Sequence, residues 1–410
     1  MATIAFVLDH EEGHLIPTFK LARQLAARGH AVRYMGLVDS GDFVRRQGFE
    51  LVPILEQVFP QGTVRKLWEG AQGPQGTGDE AVYNRYLGAL ARGEGLDQPV
   101  LRTRPHLFIL NSFLALNAVV MDYRYGLPVV LLTPLLRPGS KTQIAAGQEE
   151  VLLRMGSGAT AFFDLVRKCD PGARQFRDVT KRLIRMRELI QCPRDLEIPE
   201  NMPADDEEVH YVEPSVDLGR RDDRGFPWDR LDPSRKIVYC SLGSQGYLGG
   251  TDKAPAFLRA VAEGAARRPD WQLVLSTGGI VEPGELPLPP NAIALPWVPQ
   301  LAVLERAAVM ITHGGLGTIK ECISSGVPMV VCPIARDQPE NAKRVVHHGL
   351  GLAGDFAAPD PGALFGLVER ATADPFREAV GRMRRRFLEI EESGIGVRLI
   401  EEALQRPRRS

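Results

Sequence analysis

Residues 309–325 combine a strand, a glycine-rich turn and a helix, an arrangement that suits phosphate binding. Residues 309–312 form a short apolar run with the length and β-branching of a buried strand. The turn residues that could contact a ligand are His313, Gly314, Gly315, Gly317 and Thr318. Glycines let backbone N–H groups approach a ligand closely, and a helix start offers unpaired N–H donors at the positive end of its dipole. We therefore predict a phosphate or pyrophosphate site at this turn.

A histidine near the start of the chain has the chemistry and the position of a general base. Residues 4–8 are a predicted buried strand, and His14 lies just beyond its carboxyl end. In open parallel sheets, ligands bind at that end of the strands. A neutral imidazole has an unperturbed pKa of about 6.5, so it can take a proton from a hydroxyl at neutral pH. Gly13, directly before it, would let a substrate approach.

Both candidate sites follow strands that alternate with helical patterns along the chain. The predicted strands cover residues 4–8, 31–35, 51–53, 107–110, 128–133, 237–241, 272–276, 292–295, 309–312 and 329–332. Helical patterns include residues 15–28 and the long stretch 148–190. This alternation predicts two doubly wound α/β units, each with a parallel sheet covered on both faces.

Two segments lack such periodicity. Residues 60–79 are rich in glycine and are predicted to be a mobile loop. Residues 205–233 are charge-rich and interrupted by prolines, which is typical of a link between two domains.

Composition limits the classes of function. The 410 residues carry a net charge of −1, so nothing global indicates a nucleic acid or an anionic membrane as partner. The five cysteines are scattered without a CxxC or Cys/His cluster, which favours buried thiols in a reducing compartment. The start of the chain lacks the pattern of a signal peptide, and no stretch is apolar enough to span a bilayer. We expect a cytoplasmic protein without a membrane segment.

Both halves of the chain carry short recognisable motifs. The motifs in the second half are Trp297-Val298-Pro299-Gln300, His313-Gly314-Gly315-Leu316-Gly317-Thr318, Glu321, Gly326-Val327-Pro328 and Asp337-Gln338. The supporting motifs are Gly13-His14-Leu15-Ile16-Pro17 and Tyr239-Cys240-Ser241-Leu242-Gly243-Ser244. Together, these motifs resemble those of the family 1 glycosyltransferases, the UDP-glycosyltransferase superfamily. Residues 335–351 are particularly similar to bacterial members, including carotenoid and natural-product glucosyltransferases.

The resemblance implies a GT-B fold, in which two Rossmann-like domains face each other across a cleft. Residues 1–217 would bind the acceptor and residues 218–390 the nucleotide sugar. Residues 391–410 would hold a final helix that crosses back to the first domain.

The resemblance also implies a role for each residue of the donor site. It would stack the nucleobase on Trp297 and meet its edge with the backbone at Val298. Gln300 and Glu321 would bind the ribose hydroxyls. The diphosphate would lie against small or polar residues around the glycine turn, namely Ser244, His313, Gly315, Gly317 and Thr318.

Asp337 and Gln338 would bind the hydroxyls of a hexose. Because Glu321 suits a ribose with a 2′-hydroxyl, the expected donor is UDP-glucose rather than a dTDP-sugar. The expected reaction is inverting transfer to a hydroxyl of a small hydrophobic acceptor, with His14 as the base. No DxD-type motif lies near the glycine turn, so we expect no metal and no other cofactor.

One position departs from the family pattern. The family often has an Asp after the strand at residues 108–110, where it would orient and charge-stabilise the histidine, and this chain has Asn111. An amide can orient an imidazole but cannot stabilise an imidazolium as a carboxylate does. Three explanations stay open: an acidic acceptor, weak activity, or another acid among Asp9, Glu11, Glu12 and Asp122.

Three other functions fit the sequence less well. Asn111 would permit a catalytically silent partner that only binds a sugar nucleotide. A GT-B epimerase acting on a UDP-amino sugar is disfavoured by the motifs at Trp297 and Asp337. A nicotinamide dehydrogenase is improbable, because Lys320 occupies the third glycine of the apparent dinucleotide motif and that motif lies far from the first strand.

Overall fold

The computed structural model describes residues 1–8, 11–63, 66, 78–136, 139–154, 156–173, 175–201, 208–220, 225–243 and 253–405. Within them, the strands form one seven-stranded and one six-stranded sheet, and every strand pair is parallel. Ser244, Asp9 and most of the predicted loop at 60–79 lie outside the described residues.

The first sheet is built from residues 3–211. Its strands are β1 (Thr3–Val7), β2 (Ala31–Gly36), β3 (Leu51–Pro53), β4 (Leu107–Asn111), β5 (Val129–Thr133), β6 (Arg187–Ile190) and β7 (Val209–Tyr211), in the order β3-β2-β1-β4-β5-β6-β7. The helices among them are α1 (Glu12–Ala27), α2 (Gly41–Arg46), α3 (Gly78–Arg92), α4 (Asp97–Thr103), α5 (Ala115–Tyr125), α6 (Lys141–Arg154), α7 (Gly156–Cys169) and α8 (Phe176–Arg185).

The second sheet is built from residues 236–353. Its strands are β8 (Lys236–Ser241), β9 (Trp271–Ser276), β10 (Ala292–Leu295), β11 (Ala307–Thr312), β12 (Met329–Val331) and β13 (Gly351–Ala353), in the order β10-β9-β8-β11-β12-β13. The helices are α9 (Lys253–Ala266), α10 (Gln300–Leu304), α11 (Leu316–Ser325), α12 (Gln338–His347), α13 (Pro361–Ala371), α14 (Asp374–Ser393) and α15 (Ile395–Gln405).

The final helix packs on the first sheet although it follows the second in the chain. Val397 and Ile400 of α15 share a buried apolar cluster with Phe19 and Leu25 of α1. The buried carboxylate of Glu213 accepts the backbone N–H of Gly396 at the start of α15, at 3.0 and 3.1 Å. The predicted domain limits at 217 and 390 are not defined by these contacts and stay a prediction.

Two strands contradict the sequence-based assignments. The helical prediction for residues 187–190 is wrong, because these residues form β6. Residues 209–211 of the predicted link form β7, which pairs with β6. Strand β6 is not recognisable in the sequence because it contains charged residues. In the fold, Glu188 accepts a hydrogen bond from the Thr133 hydroxyl at 2.6 Å, and Arg187 pairs with Glu402 at 3.1 Å. These partners offset the cost of burying charge, and a pattern search sees only the charges.

Helix α1 begins three residues earlier than predicted, at Glu12 instead of 15, so His14 lies in its first turn. In the part of the chain that the structure describes, no helix combines the length and apolarity needed to cross a membrane.

Candidate active site

The predicted phosphate turn lies where the central strands of the second sheet end. Strands β8 and β11 pair in parallel up to Ser241 and Thr312, so the residues that follow them emerge side by side. His313 therefore lies beside Gly243, and strand order alone brings the two turns together.

Glycines on both sides make room for the His313 ring. A Cβ atom at Gly243 would lie 2.6 Å from the ring Cε1, and one at Gly315 would lie 2.7 Å from Nε2. Gly243 also has a φ of +71°, in the left-handed region that favours glycine. A side chain at either position would collide with the imidazole.

His313 is buried, and burial lowers the pKa of its imidazole to about 4. The ring is therefore neutral at pH 7 and has one N–H to donate. The neighbouring Thr312 hydroxyl lies 3.5 Å from Nδ1 and accepts the backbone N–H of Gly314 at 3.2 Å, which fixes the turn around the ring.

Helix α11 begins directly after this turn without a side-chain cap. Its N-cap residue is Gly315, which has no side chain to satisfy the first N–H groups. A Cβ at Gly317 would have no neighbour within 4 Å, so the space above the first turn is open. Backbone donors of α11 can therefore bind an anion.

Trp297 follows strand β10 at the same edge of the sheet. Its side chain is 52% exposed, which is unusual for so large an apolar group, and the next residue, Val298, is buried. An exposed indole ring at this edge of the sheet is suited to stacking on a planar base.

The two residues predicted to bind ribose lie together and are already hydrogen-bonded. The Gln300 amide nitrogen donates to Glu321 Oε2, and the Gln300 amide oxygen accepts the Tyr239 hydroxyl at 3.3 Å. Arg220 donates from Nη2 to Glu321 Oε1 at 3.0 Å. The sequence does not indicate a role for Arg220, because one arginine in the charge-rich link at 205–233 has no distinguishing pattern.

Asp337 and Gln338 end the loop after strand β12. Gln338 is buried, and its side-chain oxygen accepts the backbone N–H groups of Ile334 and Ala335 at 2.8 and 3.0 Å. These bonds hold the loop in shape and leave the amide nitrogen as the group that can donate to a ligand. The Asp337 carboxylate accepts a hydrogen bond from Asn341 in α12 at 2.8 Å.

His14 is partly exposed and lies against an aromatic ring. Its ring stacks on Phe113, with centroids 4.6 Å apart and planes at 26°. Asn111 ends strand β4, and its side-chain oxygen accepts the Phe113 backbone N–H at 3.0 Å. Asn111 thereby caps the turn that carries the aromatic ring to His14.

An acid also lies beside His14. Glu11 Oε2 is 3.6 Å from His14 Nε2 and 3.5 Å from Nη1 of Arg336, the residue directly before Asp337. Among the other acids that the sequence leaves open, Asp122 pairs with Arg182 at 2.8 Å. The Glu11 carboxylate thus connects the first turn of α1 to the loop of the second half.

Comparison with known proteins shows the family to which the chain belongs. Residues 228–380 match the family model described as UDP-glucoronosyl and UDP-glucosyl transferase. The chain is 30% identical to the oleandomycin glycosyltransferase of Streptomyces antibioticus over 391 residues, covering 92% of this chain and 82% of that protein. This chain belongs to the family 1 glycosyltransferases. A solved structure, the glycotransferase of kitacinnamycin, is 31% identical, with a TM-score of 0.74 and 98% of each chain covered.

The family assignment confirms three predictions. This glycosyltransferase has the GT-B fold, and the calicheamicin glycosyltransferase CalG4 shares it at 25% identity and a TM-score of 0.73 over 99% of each chain. It is an enzyme whose substrates are a nucleotide sugar and an acceptor. The roles predicted for individual residues stay predictions. Among the described residues of the glycosyltransferase, no cluster of three or more His, Cys, Asp or Glu side chains is placed to hold a metal ion.

Proposed function

We propose that this glycosyltransferase moves a hexose, most readily glucose from UDP-glucose, to a hydroxyl of a small hydrophobic acceptor with inversion. One observation carries the proposal. Glu11 bridges His14 and Arg336 at 3.6 and 3.5 Å, so the proposed base of the first half lies next to the predicted sugar-binding loop of the second. A base that lies next to the loop predicted to bind the sugar suits direct transfer.

The proposed step needs no reactant besides the acceptor and the nucleotide sugar. A ring nitrogen of His14 takes the proton of the acceptor hydroxyl as its oxygen forms a bond to the anomeric carbon. The bond from that carbon to the nucleotide diphosphate breaks on the opposite face, and the diphosphate leaves with the bonding electrons. One displacement inverts the anomeric configuration.

Glu11 would supply the negative charge that Asn111 cannot. A carboxylate near the ring favours the imidazolium that forms when His14 takes the proton. Asn111 would act indirectly, through the cap that holds Phe113 against the ring. Among the acids left open by the sequence, this geometry favours Glu11.

The surroundings of His14 support an apolar acceptor. Phe113 is 44% exposed although it is large and aromatic, and it lies directly on the ring of the proposed base. The curated relatives include glycosyltransferases named for oleandomycin and, in Streptomyces fradiae, for demethyllactenocin. A hydroxyl-bearing bacterial natural product is therefore the first acceptor class to test.

The diphosphate would leave onto N–H donors of the protein. Uncapped backbone groups of α11, the Thr318 hydroxyl and neutral His313 all lie at the turn where its charge would develop. These groups support the proposal that transfer needs no metal, which EDTA tests directly.

The deciding experiment is a transfer assay read by mass spectrometry, with UDP-glucose, an acceptor panel of phenols, terpenoids, carotenoids and macrolides, and EDTA present. A hexose mass increment that is lost in His14→Ala supports the whole proposal. Undiminished transfer by His14→Ala contradicts the base assignment. Faster transfer from dTDP-glucose contradicts the assignment of UDP-glucose as the donor. Tight donor binding without any transfer favours the alternative of a catalytically silent partner protein.

A further inference from the structure

A buried amide joins the two parts of the predicted donor site. The side chain of Asn341 is fully buried in α12. Its Nδ2 donates to the backbone oxygen of Gly314 at 2.9 Å and to Asp337 Oδ2 at 2.8 Å. Gly314 belongs to the turn predicted to hold the diphosphate, and Asp337 is predicted to hold the hexose. One amide group therefore fixes the distance between the two.

The orientation of that amide is fixed in turn by a buried ion pair. Arg344 Nη1 donates to Asn341 Oδ1 at 2.9 Å, so the amide nitrogen must face Gly314 and Asp337. Arg344 also donates from Nε and Nη2 to the two carboxylate oxygens of Glu197, at 2.7 and 3.1 Å. Arg344 and Glu197 are both buried, so the pair is shielded from solvent and its geometry is well defined.

We propose that Asn341 is a positioning residue that holds the Asp337 carboxylate at the correct distance from the diphosphate to bind a hexose. The Glu197–Arg344 pair braces it from the segment between strands β6 and β7 of the first sheet. The inference rests on the proposed function, because it takes Asp337 as a sugar ligand.

Loss of the Asn341 N–H should weaken binding of one part of the donor more than the other. Without the Asn341 N–H, the partly exposed Asp337 carboxylate is free to turn toward water, and the buried oxygen of Gly314 loses its partner. A buried polar group that loses its hydrogen-bond partner is destabilised. The loss of affinity should concern mainly the sugar, because the proposed contacts of the diphosphate with the start of α11 do not involve Asn341.

Asn341→Asp tests the idea with little change in size. It replaces the amide nitrogen by an oxygen beside the Asp337 carboxylate and the Gly314 carbonyl, so attraction becomes repulsion. The readout is the ratio of the dissociation constants for UDP and UDP-glucose, measured by calorimetry, since only the second ligand has the hexose. We expect UDP-glucose to bind roughly tenfold more weakly relative to UDP. An unchanged ratio in the folded variant overturns the inference.

Asn291→Asp is the matched control for damage to the fold. Asn291 is also buried, and its Nδ2 donates to the backbone oxygens of Ala265, Arg268 and Trp271 at 2.9–3.1 Å, in a cluster remote from Asp337 in the chain and in the sheet. This variant should lower the Tm without changing the ratio. An equal change in both variants would mean that Asn341 acts only on stability. If Asn341→Asp does not fold, Asn341→Ser removes the bridge without adding a charge.

Asp337→Ala separates the inference from the proposed function. If Asp337 binds the hexose, its loss lowers relative affinity for UDP-glucose, and adding Asn341→Asp to Asp337→Ala has no further effect on the ratio. A ratio unaffected by Asp337→Ala contradicts the sugar assignment itself. A ratio lowered by Asp337→Ala but not by Asn341→Asp contradicts only the positioning role.

Discussion

The carboxylate of Glu11 lies 3.6 Å from the Nε2 of His14, and the two residues are three positions apart at the start of one helix. The same oxygen lies 3.5 Å from Arg336 in the second half of the chain. The charge beside the proposed base is therefore shared with the loop that carries the predicted sugar ligands. Donor binding that moves this loop would also change the electrostatic environment of His14.

Replacing Glu11 by Gln should slow transfer and move its pH profile. Without the carboxylate the imidazolium is less stable, so we expect kcat to fall roughly tenfold and the acidic limb of kcat/KM to move to lower pH. The measurement is initial-rate kinetics between pH 5 and 9. Glu12→Gln is the control, because Glu12 is the neighbouring exposed acid, and it should leave the profile unchanged.

A carboxylate introduced at the end of β4 should rescue the Glu11→Gln variant. Asn111→Asp keeps an oxygen to accept the Phe113 N–H and adds negative charge at the end of β4. In the Glu11→Gln background it should recover most of the lost kcat. A double variant no faster than Glu11→Gln alone would mean that charge near the ring does not limit the reaction.

His313 should make the fold sensitive to mild acid. Its pKa is about 4 in the folded protein and about 6.5 in the unfolded chain, so below pH 6.5 the unfolded state binds the extra proton. The contribution to stability is complete above pH 6.5 and is lost as the pH falls toward 4. We expect the free energy of unfolding to drop by about 2 kcal/mol between pH 7.5 and 5 from this group alone.

Urea unfolding at both pH values measures the effect. His313→Gln cannot take the proton, so its stability should depend less on pH by that amount. Burial also lowers the pKa of His210 and His348, so some pH dependence in the same direction should persist in the variant. An identical pH dependence in the variant and the parent protein would contradict the assignment of a neutral buried His313.

Arg220 should affect the choice between UDP and dTDP. It binds one oxygen of Glu321, the residue predicted to bind the ribose hydroxyls. Arg220→Ala frees that oxygen, and only UDP has the 2′-hydroxyl to use it, so affinity for UDP relative to dTDP should rise roughly threefold to tenfold. Competition calorimetry gives the ratio.

Arg235→Ala is the control for Arg220, because it removes an arginine directly after the link at 205–233, one that pairs with Asp232 at 3.1 Å. It should leave the nucleotide preference unaltered. If Arg220→Ala instead weakens both nucleotides equally, Arg220 binds a group common to both, such as the diphosphate.

The glycine turn could be predicted from the sequence because its residue types are rare and their spacing follows directly from a strand and a helix start. The contacts of Glu11, Arg220 and Asn341 could not be predicted, because each depends on a partner more than 20 positions away or on the folded loop. Strand β6 was missed for a related reason: the partners of Arg187 and Glu188 come from α15 and β5, and local periodicity does not include them.

Gly315 and Gly317 should respond in opposite ways to substitution by Ala. At Gly315, φ is −61°, so the backbone tolerates a side chain, but the added Cβ would lie 2.7 Å from His313 Nε2. Displacing a buried ring should cost roughly 1–3 kcal/mol of stability.

At Gly317 nothing lies within 4 Å of an added Cβ, so Gly317→Ala should leave the Tm unchanged or slightly higher. If the open space above α11 receives the diphosphate, the same methyl group should weaken UDP binding roughly tenfold, a loss of about 1.4 kcal/mol. Thermal unfolding with UDP calorimetry on both variants tests the pair, and full UDP affinity in Gly317→Ala would show that the ligand binds elsewhere.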